Sequence, residues 1–249
     1  MPHDTGGLLV PSLQLISLRC PVHSDARGQT TSSLVSLAIA YLLLVVISVG
    51  AIAVLPPGTA SSGLAARNPF GPAELSRRFF AASPDAVRVS AFFCFASAVP
   101  LVIYTAVIVT RLRLLGQRDA GVHAAFAGGL AASGGLAAAG LFLWTLSVPE
   151  ASASLGLSRT LHVLVFLCGG PAFAVGMGLL AGGASMSLFA TGLLPNWVVR
   201  LGLALAVTGA LSSLGLLIVP MTVAIPVTRV GGFVWLIAVG ALWPSRSVR

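Results

Sequence analysis

The sequence predicts an all-α polytopic membrane protein in which six transmembrane helices form an up-down bundle. The stretch from Leu34 to Leu55 carries no charge, and its roughly 22 residues would rise about 33 Å as a helix, enough to cross a bilayer. Hydrophobic residues make up 57% of the chain and charged residues only 8%, far below the roughly 25% of a soluble domain. Apolar runs recur along all 249 residues, which can supply about six spans with their connections. We therefore expect a single membrane domain.

The chain divides into a leader, a membrane domain and a tail. Residues 1–33 are polar and interrupted by proline, and we expect them to be disordered. Residues 34–243 form the six-span domain, and residues 244–249 form a short basic tail. The predicted spans are 34–55, 88–110, 121–147, 159–191 with a kink at 169–171, 197–219 and 227–243.

The connection between the first two spans is long, and it contains a short predicted helix. Pro56-Pro57-Gly58 ends the first span, because proline lacks the N–H that the helix needs. A helix is predicted from Pro72, with Phe79 and Phe80 beside Arg77 and Arg78. Such a segment can lie in the membrane interface with its rings inserted and its guanidiniums among the headgroups. An ordered surface loop with no role in lipid contact is the alternative.

Local signals set the ends of the second and third spans. Ser83-Pro84-Asp85 provides a cap, a proline in the first turn and an acid near the helix N-terminus. Pro100 should bend the second span. Asp119 caps the third span, and Trp144 should mark its far membrane interface.

Small residues at helical spacing predict close contacts between spans. Glycine, alanine and serine let helix backbones approach and gain van der Waals contact in lipid, where the hydrophobic effect between helices is absent. The third span is rich in such residues, so we expect it at the centre of the bundle. The predicted packing residues are Gly129 and Ser133 in the third span, Gly178 and Gly182 in the fourth, and Gly202 and Ala206 in the fifth.

The fourth span contains the strongest helix-breaking signal within an apolar run. Gly169-Gly170-Pro171 interrupts more than 30 apolar residues, so a kink or a break is expected there. Leu194-Pro195-Asn196-Trp197 then forms an interfacial turn before the fifth span.

The distribution of arginine predicts the orientation. With the N-terminus inside, eight arginines fall on the cytoplasmic side and six outside, and most of the outer six belong to the long first connection. Short loops determine orientation more than long ones. The sequence therefore predicts an inner-membrane protein with both termini in the cytoplasm.

Several chemistries are disfavoured by the placement of charged and nucleophilic residues. All six acids lie outside the predicted spans, which argues against a carrier driven by protons or sodium. The basic residues are scattered between apolar runs, so the net charge of +8 does not indicate nucleic-acid binding. His123 and His162 should lie at opposite membrane faces, and no metal site or cofactor is predicted. His162 and Cys168 are the nearest approach to a base and nucleophile, but their spacing of six places them on nearly opposite helix faces.

One segment resembles a known family. Thr191-Gly-Leu-Leu-Pro195-Asn-Trp197-Val-Val-Arg-Leu-Gly202 is similar to the turn of a broad bacterial family of six-span membrane proteins, grouped as a domain of unknown function. That family often shows Gly-x-Leu-Pro-x-Trp-x-x-x-x-Gly at this place. The resemblance extends over about residues 34–243 and implies a six-helix fold, with no activity and no catalytic residue.

Three functions are compatible with these residues. The first is a non-enzymatic protein that packs through its small-residue faces, as a homo-oligomer or as an accessory subunit of another membrane protein, with the lipid bilayer as its other partner. The second is a binder or carrier of a lipid or apolar small molecule, and the third is an intramembrane enzyme. The second would use a cavity near the interruption of the fourth span, and its candidate ligand-binding residues are Tyr104, Trp144, His162, Gly170 and Pro171.

Overall fold

The protein is a bundle of long helices. A computed structural model describes residues 26–54, 69–189 and 191–243. Within these ranges the chain is all-helical, and six helical segments are long and apolar enough to cross a membrane. The six candidate spans are Ser33–Ala53, Pro84–Leu114, Ala120–Leu146, Leu155–Phe189, Asn196–Leu216 and Pro220–Leu242. The predicted fold class is confirmed, and the chain is a multi-pass membrane protein.

Nine α-helices and three short irregular helical segments make up the described residues. The α-helices are α1 (Ala26–Val54), α2 (Ala73–Ala82), α3 (Pro84–Leu114), α4 (Ala120–Leu146), α5 (Pro149–Ala153), α6 (Leu155–Leu167), α7 (Phe173–Phe189), α8 (Asn196–Ser213) and α9 (Ala224–Leu242). A five-residue π-helix, Cys168–Ala172, joins α6 to α7 and is called the π segment below. Two 3₁₀ turns, Leu214–Leu216 and Val219–Val223, connect α8 to α9.

The observed helix ends differ from the predicted ones where polar residues or proline continue a helix. α1 begins at Ala26, so 26–33 of the predicted disordered leader is helical, while residues 1–25 and the predicted tail at 244–249 lie outside the described residues. α3 runs through Pro100 without interruption and reaches Leu114. α8 stops at Ser213, short of the predicted end at residue 219, and α9 begins at Ala224 with Pro226 inside its first turn. Proline is tolerated there because the first N–H groups of a helix have no intrahelical partner.

The spans pack mainly in chain order around α4 and α7. α4 lies between α3 on one side and the fourth span, α6 through α7, on the other. α7 in turn packs against α8, and α9 closes the bundle against α8, α7 and α1. α1 packs against α3 and α9. The central elements of the bundle are therefore the two spans richest in glycine.

Glycines bring α4 and α7 into backbone contact. A Cβ built on Gly128 would lie 2.5 Å from the backbone nitrogen of Leu180, and one on Gly183 would lie 2.5 Å from the carbonyl oxygen of Gly121. A Cβ on Gly176 would overlap the backbone nitrogen of Ala132. Only glycine fits at these positions, because the opposing atoms are backbone atoms that cannot rotate away.

The predicted packing residues lie at further interfaces within the chain. Gly129 faces the side chain of Thr105 in α3, and the hydroxyl of Ser133 donates to the Gly129 carbonyl at 2.8 Å. In α7, a Cβ on Gly178 would lie 2.8 Å from the carbonyl oxygen of Leu205, and one on Gly182 would lie 2.5 Å from the Cβ of Ala206. A Cβ on Gly202 in α8 would meet the Ala181 carbonyl oxygen at 2.8 Å. Gly129, Gly178, Gly182, Gly202 and Ala206 thus contact neighbouring helices of the same chain, while the buried Ser133 is hydrogen-bonded within α4.

Asp119 connects the start of α4 to the end of α7. Its carboxylate accepts a hydrogen bond from the backbone N–H of Val122 at 3.1 Å, as predicted for a cap, and another from the hydroxyl of Ser187 at 2.7 Å. The cap therefore also aligns the two central spans at this end of the bundle.

At the other end of the bundle, α2 packs on the protein itself. Phe79 and Phe80 are buried in an apolar cluster with Val87, Leu146 and Leu161. The rings of α2 are therefore not inserted into lipid, as one of the two sequence interpretations had them, because the ends of α3, α4 and α6 offer an apolar surface of their own. The outer face of α2 is polar and carries an ion-pair cluster.

The ion pairs of α2 predict a pH dependence. Arg77 donates two hydrogen bonds to the Glu74 carboxylate, at 2.7 and 2.9 Å, and Arg78 donates one at 3.0 Å, which lowers the pKa of Glu74 from 4.5 to about 2. A lowered pKa in the folded state means that ionised Glu74 stabilises the protein above pH 4.5, and that this contribution is lost as the pH falls toward 2. We expect Glu74→Gln to lower the melting temperature slightly at pH 7, and the difference from the wild type to shrink steadily below pH 4.5. Thermal unfolding in detergent across this range measures it, and a difference that is constant with pH would contradict the assignment.

Candidate functional site

The π segment leaves a backbone carbonyl without its helical donor. In a regular α-helix the N–H of Phe173 would bond to the carbonyl of Gly169, four residues earlier. Here that N–H donates to the carbonyls of Cys168 and Gly170, and Pro171 has no N–H to donate. The Gly169 carbonyl is therefore available to another group. Such π segments inside helices are frequent at functional sites.

The side chain of Arg229 in α9 donates a hydrogen bond to this carbonyl. One terminal nitrogen of its guanidinium donates to the Gly169 oxygen, and the guanidinium carbon lies 4.8 Å from the centre of the Phe173 ring. The Nε atom is buried and has no hydrogen-bond partner within the described part of the chain. The guanidinium of this partly exposed residue is thus held by a carbonyl dipole and an aromatic face.

The Arg229 side chain lines a cavity of about 380 Å³, called the Arg229 pocket below. Five of the six spans contribute to its wall, and α8 does not. The lining residues are Val45, Ser48, Val49 and Ile52 of α1; Ser90, Cys94 and Ser97 of α3; Leu136, Ala139 and Leu143 of α4; Val165, Phe166, Gly169 and Gly170 of the fourth span; and Ile225, Pro226 and Arg229 of α9.

Most polar atoms of the pocket wall are already hydrogen-bonded to one another or to the backbone. The hydroxyl of Ser48 donates to the Ser90 carbonyl at 2.8 Å and lies 3.2 Å from the Ser90 hydroxyl. The hydroxyl of Ser97 donates to the Cys94 carbonyl at 2.6 Å, and the Cys94 thiol contacts the Leu136 carbonyl at 3.6 Å. A ligand in the pocket would therefore contact an apolar wall with a single cationic group.

The pocket lies in the half of the bundle that α2 covers. Its lining residues come from the last turns of α1 and α4 and from the first half of α3, and Ser97 lies about 20 Å along α3 from Pro84. Ile52 and Leu143 belong both to the pocket wall and to the apolar cluster beneath α2. The pocket thus extends from this cluster toward the middle of the membrane domain, whose apolar thickness is about 30 Å.

Residues that precede α2 lie near the rim of the pocket. The Phe70 ring contacts the ring of Phe166, a lining residue, edge to face at 5.4 Å between centres. The Arg159 guanidinium donates to the Gly71 carbonyl at 2.7 Å. These contacts fix the end of the long first connection against α6.

Of the five ligand-binding residues predicted from the sequence, Gly170 lines this pocket. Pro171 shapes the π segment but faces a different groove, beside Val175 and Leu216. Tyr104 lies farther along α3, about 10 Å from Ser97, where its buried hydroxyl donates to the Leu236 carbonyl at 2.9 Å. The structure therefore does not place Tyr104 in the wall of this pocket, and its role in ligand binding stays a prediction.

Trp144 and His162 also lie away from the Arg229 pocket. Trp144 is half exposed on the outer face of α4, in a shallow groove with Arg88 and Phe92, because its neighbour Leu143 takes the inward position. The His162 ring is buried against Phe80 beneath α2, with 5.2 Å between ring centres. The structure therefore places neither side chain in the wall of the Arg229 pocket, and their role in ligand binding stays a prediction.

Arg229 is the functional candidate that the sequence reading missed. By the sequence it lies at the start of the predicted sixth span and counts among the six arginines on the outer side. The available signal was its isolation, because no other charged residue occurs between Arg200 and Arg246. A lone ionisable residue inside an apolar span is by default a functional residue that faces the bundle interior.

The described residues contain no group of three or more histidine, cysteine or acidic side chains that could hold a metal ion. His123 lies at the start of α4, where its Nδ1 is 3.0 Å from the Asp119 carbonyl oxygen. His162 is at the other end of the bundle, beneath α2.

Comparison of the chain with family models, with curated proteins and with solved structures finds no match. The resemblance to a six-span family therefore stays a prediction, which the Thr191–Gly202 segment alone supports. In the structure Gly192 of that segment has φ of +60°, a left-handed conformation that favours glycine, and Trp197 is half exposed at the start of α8.

Proposed function

We propose that this membrane protein binds an apolar small molecule or a lipid chain in the Arg229 pocket. The observation that carries the proposal is the pocket itself, a cavity of about 380 Å³ walled by five spans and lined mostly by apolar atoms. Ligand pockets in proteins typically measure about 300–1,000 Å³ and combine apolar walls with a few convergent polar groups. The pocket fits that description, with the Arg229 guanidinium as its polar group.

The small-residue faces give less support to a role in oligomerisation or in binding an accessory partner. Five of the six predicted packing residues contact another helix of the same chain, as Gly178 and Gly182 do with α8, and the sixth, Ser133, is buried in α4. A face already buried within the chain is not available to a second protein. We therefore assign these glycines to the folding of the bundle and the function to the pocket.

A filling substitution at the pocket tests the proposal. Val49 and Val46 are both half exposed on α1, but only Val49 lines the pocket. We expect the wild-type protein, extracted in mild detergent, to retain a bound apolar molecule at close to one per chain. We expect Val49→Trp to lose it because the indole occupies the cavity, and Val46→Trp to keep it.

Native mass spectrometry of the three proteins, followed by extraction and identification of the released molecule, measures this retention. Equal retention by Val49→Trp and the wild type would contradict the proposal. So would a wild-type protein that carries no bound molecule and gains no thermal stability from added alkyl compounds.

The proposed location is a bacterial inner membrane, with both termini in the cytoplasm and the α2 end of the bundle outside. The arginines at 111, 113 and 118 support this orientation, since they cluster in the last turn of α3 and the short loop after it, at the end opposite α2. In a variant without cysteine, Ser154→Cys should react with a membrane-impermeant maleimide in intact cells. Gln117→Cys should react only after permeabilisation, and the reverse pattern would overturn the orientation.

A further inference from the structure

We infer that the Arg229 pocket selects amphiphiles with an anionic headgroup, a carboxylate or a phosphate, over neutral ones with the same chain. This inference rests on the proposed function and adds the chemical class of the ligand. Its basis is the imbalance between donors and acceptors around Arg229.

The Arg229 guanidinium has unused donor capacity. It carries five N–H groups in a planar fork that matches a carboxylate or phosphate. The Gly169 carbonyl accepts from one terminal nitrogen, and the buried Nε finds no acceptor among the residues described. The Phe173 ring contributes a face and no lone pair. The side chain therefore lies at the pocket with its charge only partly compensated.

Each acid of the described residues is engaged or positioned elsewhere. Glu74 is paired with Arg77 and Arg78 on the outer face of α2. Asp85 lies 3.7 Å from Arg88 at the start of α3, Asp119 caps α4 at the opposite end of the bundle, and Glu150 is exposed in α5. The part of the chain that the structure covers thus supplies no counter-ion for Arg229.

Tyr41 adds a second unused donor close to this charge. Its ring is buried against Phe233, at 5.2 Å between ring centres, one helical turn before the lining residue Val45. Its hydroxyl has no hydrogen-bond partner in the described ranges, and Phe233 lies one helical turn after Arg229 in α9. The Arg229 Nε and the Tyr41 hydroxyl are thus two buried donors without an acceptor in the same part of the bundle, and an anionic oxygen is the complement of such donors.

Solvation supports the same conclusion. An ionised group in an apolar environment is costly unless it is paired and hydrogen-bonded, and charged residues within membrane spans usually pair with a partner or face a polar cavity. The Arg229 pocket is apolar apart from hydroxyls that are already bonded. A carboxylate or phosphate in the pocket would supply the missing acceptor, while an alkyl chain would cover the apolar wall. Charge-assisted hydrogen bonds of this kind change affinity by about tenfold to a hundredfold.

Four probes with chains of twelve carbon atoms, counting the carboxylate carbon of dodecanoate, test the inference on the full-length protein in a neutral maltoside detergent. The probes are dodecanoate, dodecyl phosphate, dodecanol and dodecyltrimethylammonium, and affinity is measured by calorimetry at a pH where the first two are ionised. We expect the wild type to bind at least one anionic probe about tenfold or more tightly than dodecanol, and the cationic probe most weakly. Tighter binding of dodecanoate would indicate a fatty acid as the ligand, and tighter binding of dodecyl phosphate would indicate a phosphate headgroup.

Substitutions at Arg229 separate the headgroup from the chain. Arg229→Gln should bind dodecanol as the wild type does and lose the preference for the anion. Arg229→Lys should keep part of that preference, because it retains the charge and loses the planar fork. Arg200→Gln, at an exposed position of α8 outside the pocket, serves as the matched control and should behave as the wild type.

The outcomes distinguish the inference from the proposed function. Equal affinity of the wild type for dodecanol and both anions would overturn the inference and leave the pocket as an apolar binding site. A preference for the anion that survives in Arg229→Gln would also overturn it. Absence of binding by every probe would overturn the proposed function as well. Should Arg229→Gln fail to fold, the comparison of the four probes on the wild type and on Arg229→Lys still decides.

Discussion

Replacing Gly176 by alanine is expected to lower the free energy of unfolding by about 3 kcal/mol, the upper end of the range for extra methyl groups in a packed interior. The added Cβ would overlap the backbone nitrogen of Ala132 and lie 2.8 Å from the Gly128 carbonyl oxygen. Neither atom can rotate away, so α4 and α7 would have to separate along the contact that holds the two central spans together. Gly176→Leu should prevent folding altogether.

Gly134→Ala is the matched control for this prediction. Gly134 lies in α4 on the outer face, where an added Cβ meets no atom within 4 Å. Because alanine is a better helix former than glycine by about 0.8–1 kcal/mol, the control should be neutral or slightly stabilising. Substitution of glycine by alanine is thus expected to lower the free energy of unfolding at Gly176 and to leave it unchanged or raise it at Gly134.

The free energies of unfolding of both variants and of the wild type are measured in mixed micelles with an increasing fraction of denaturing detergent. A loss of stability in Gly134→Ala equal to that in Gly176→Ala would mean that backbone flexibility, and not interhelical distance, explains the effect. A neutral Gly176→Ala would show that α4 and α7 do not approach as closely as the structure has them.

The glycines of this contact recur at seven-residue spacing, and not at the four-residue spacing of the predicted packing pairs. Gly121, Gly128 and Gly135 recur every seven residues in α4, as Gly176 and Gly183 do in α7. A seven-residue repeat keeps one narrow stripe of a helix against its partner. The six spans were predictable from charge-free runs, since lipid demands apolar side chains whatever the tertiary contacts are. Which glycine faces which helix was not predictable from the sequence, because that depends on the rotation of each helix about its own axis.

The candidate site was predictable at one place only. Gly169-Gly170-Pro171 indicated an interrupted helix, because two glycines and a proline weaken helical hydrogen bonding wherever they occur. The interruption is a π segment, and its consequence is the available Gly169 carbonyl. That Arg229, 60 residues later, would donate to this carbonyl requires α9 to pack beside the fourth span. No local pattern contains that information.

Trp235→Ala is expected to destabilise the protein by about 3–5 kcal/mol, the usual cost of deleting a buried aromatic side chain. Trp235 is completely buried in α9, and its indole N–H donates to the Ser185 hydroxyl of α7 at 3.3 Å. The ring also lies against the close approach of α8 at Gly202, whose added Cβ would be 2.7 Å from the indole nitrogen. Removing it would leave a cavity where three helices meet, in a medium that cannot fill it with water.

We expect Trp235→Ala also to weaken ligand binding in the Arg229 pocket, because both residues belong to α9. Trp235 lies about 9 Å along this helix from Arg229, so a shift of α9 would move the guanidinium away from the Gly169 carbonyl. Trp235→Phe retains most of the ring volume and loses the N–H, and it should cost only about 1 kcal/mol and leave ligand affinity unchanged. Trp197→Ala, at a half-exposed tryptophan of α8, should affect neither stability nor binding. If Trp235→Ala unfolds more easily while its folded fraction binds the anionic alkyl probes as tightly as the wild type, the position of Arg229 does not depend on the packing of Trp235.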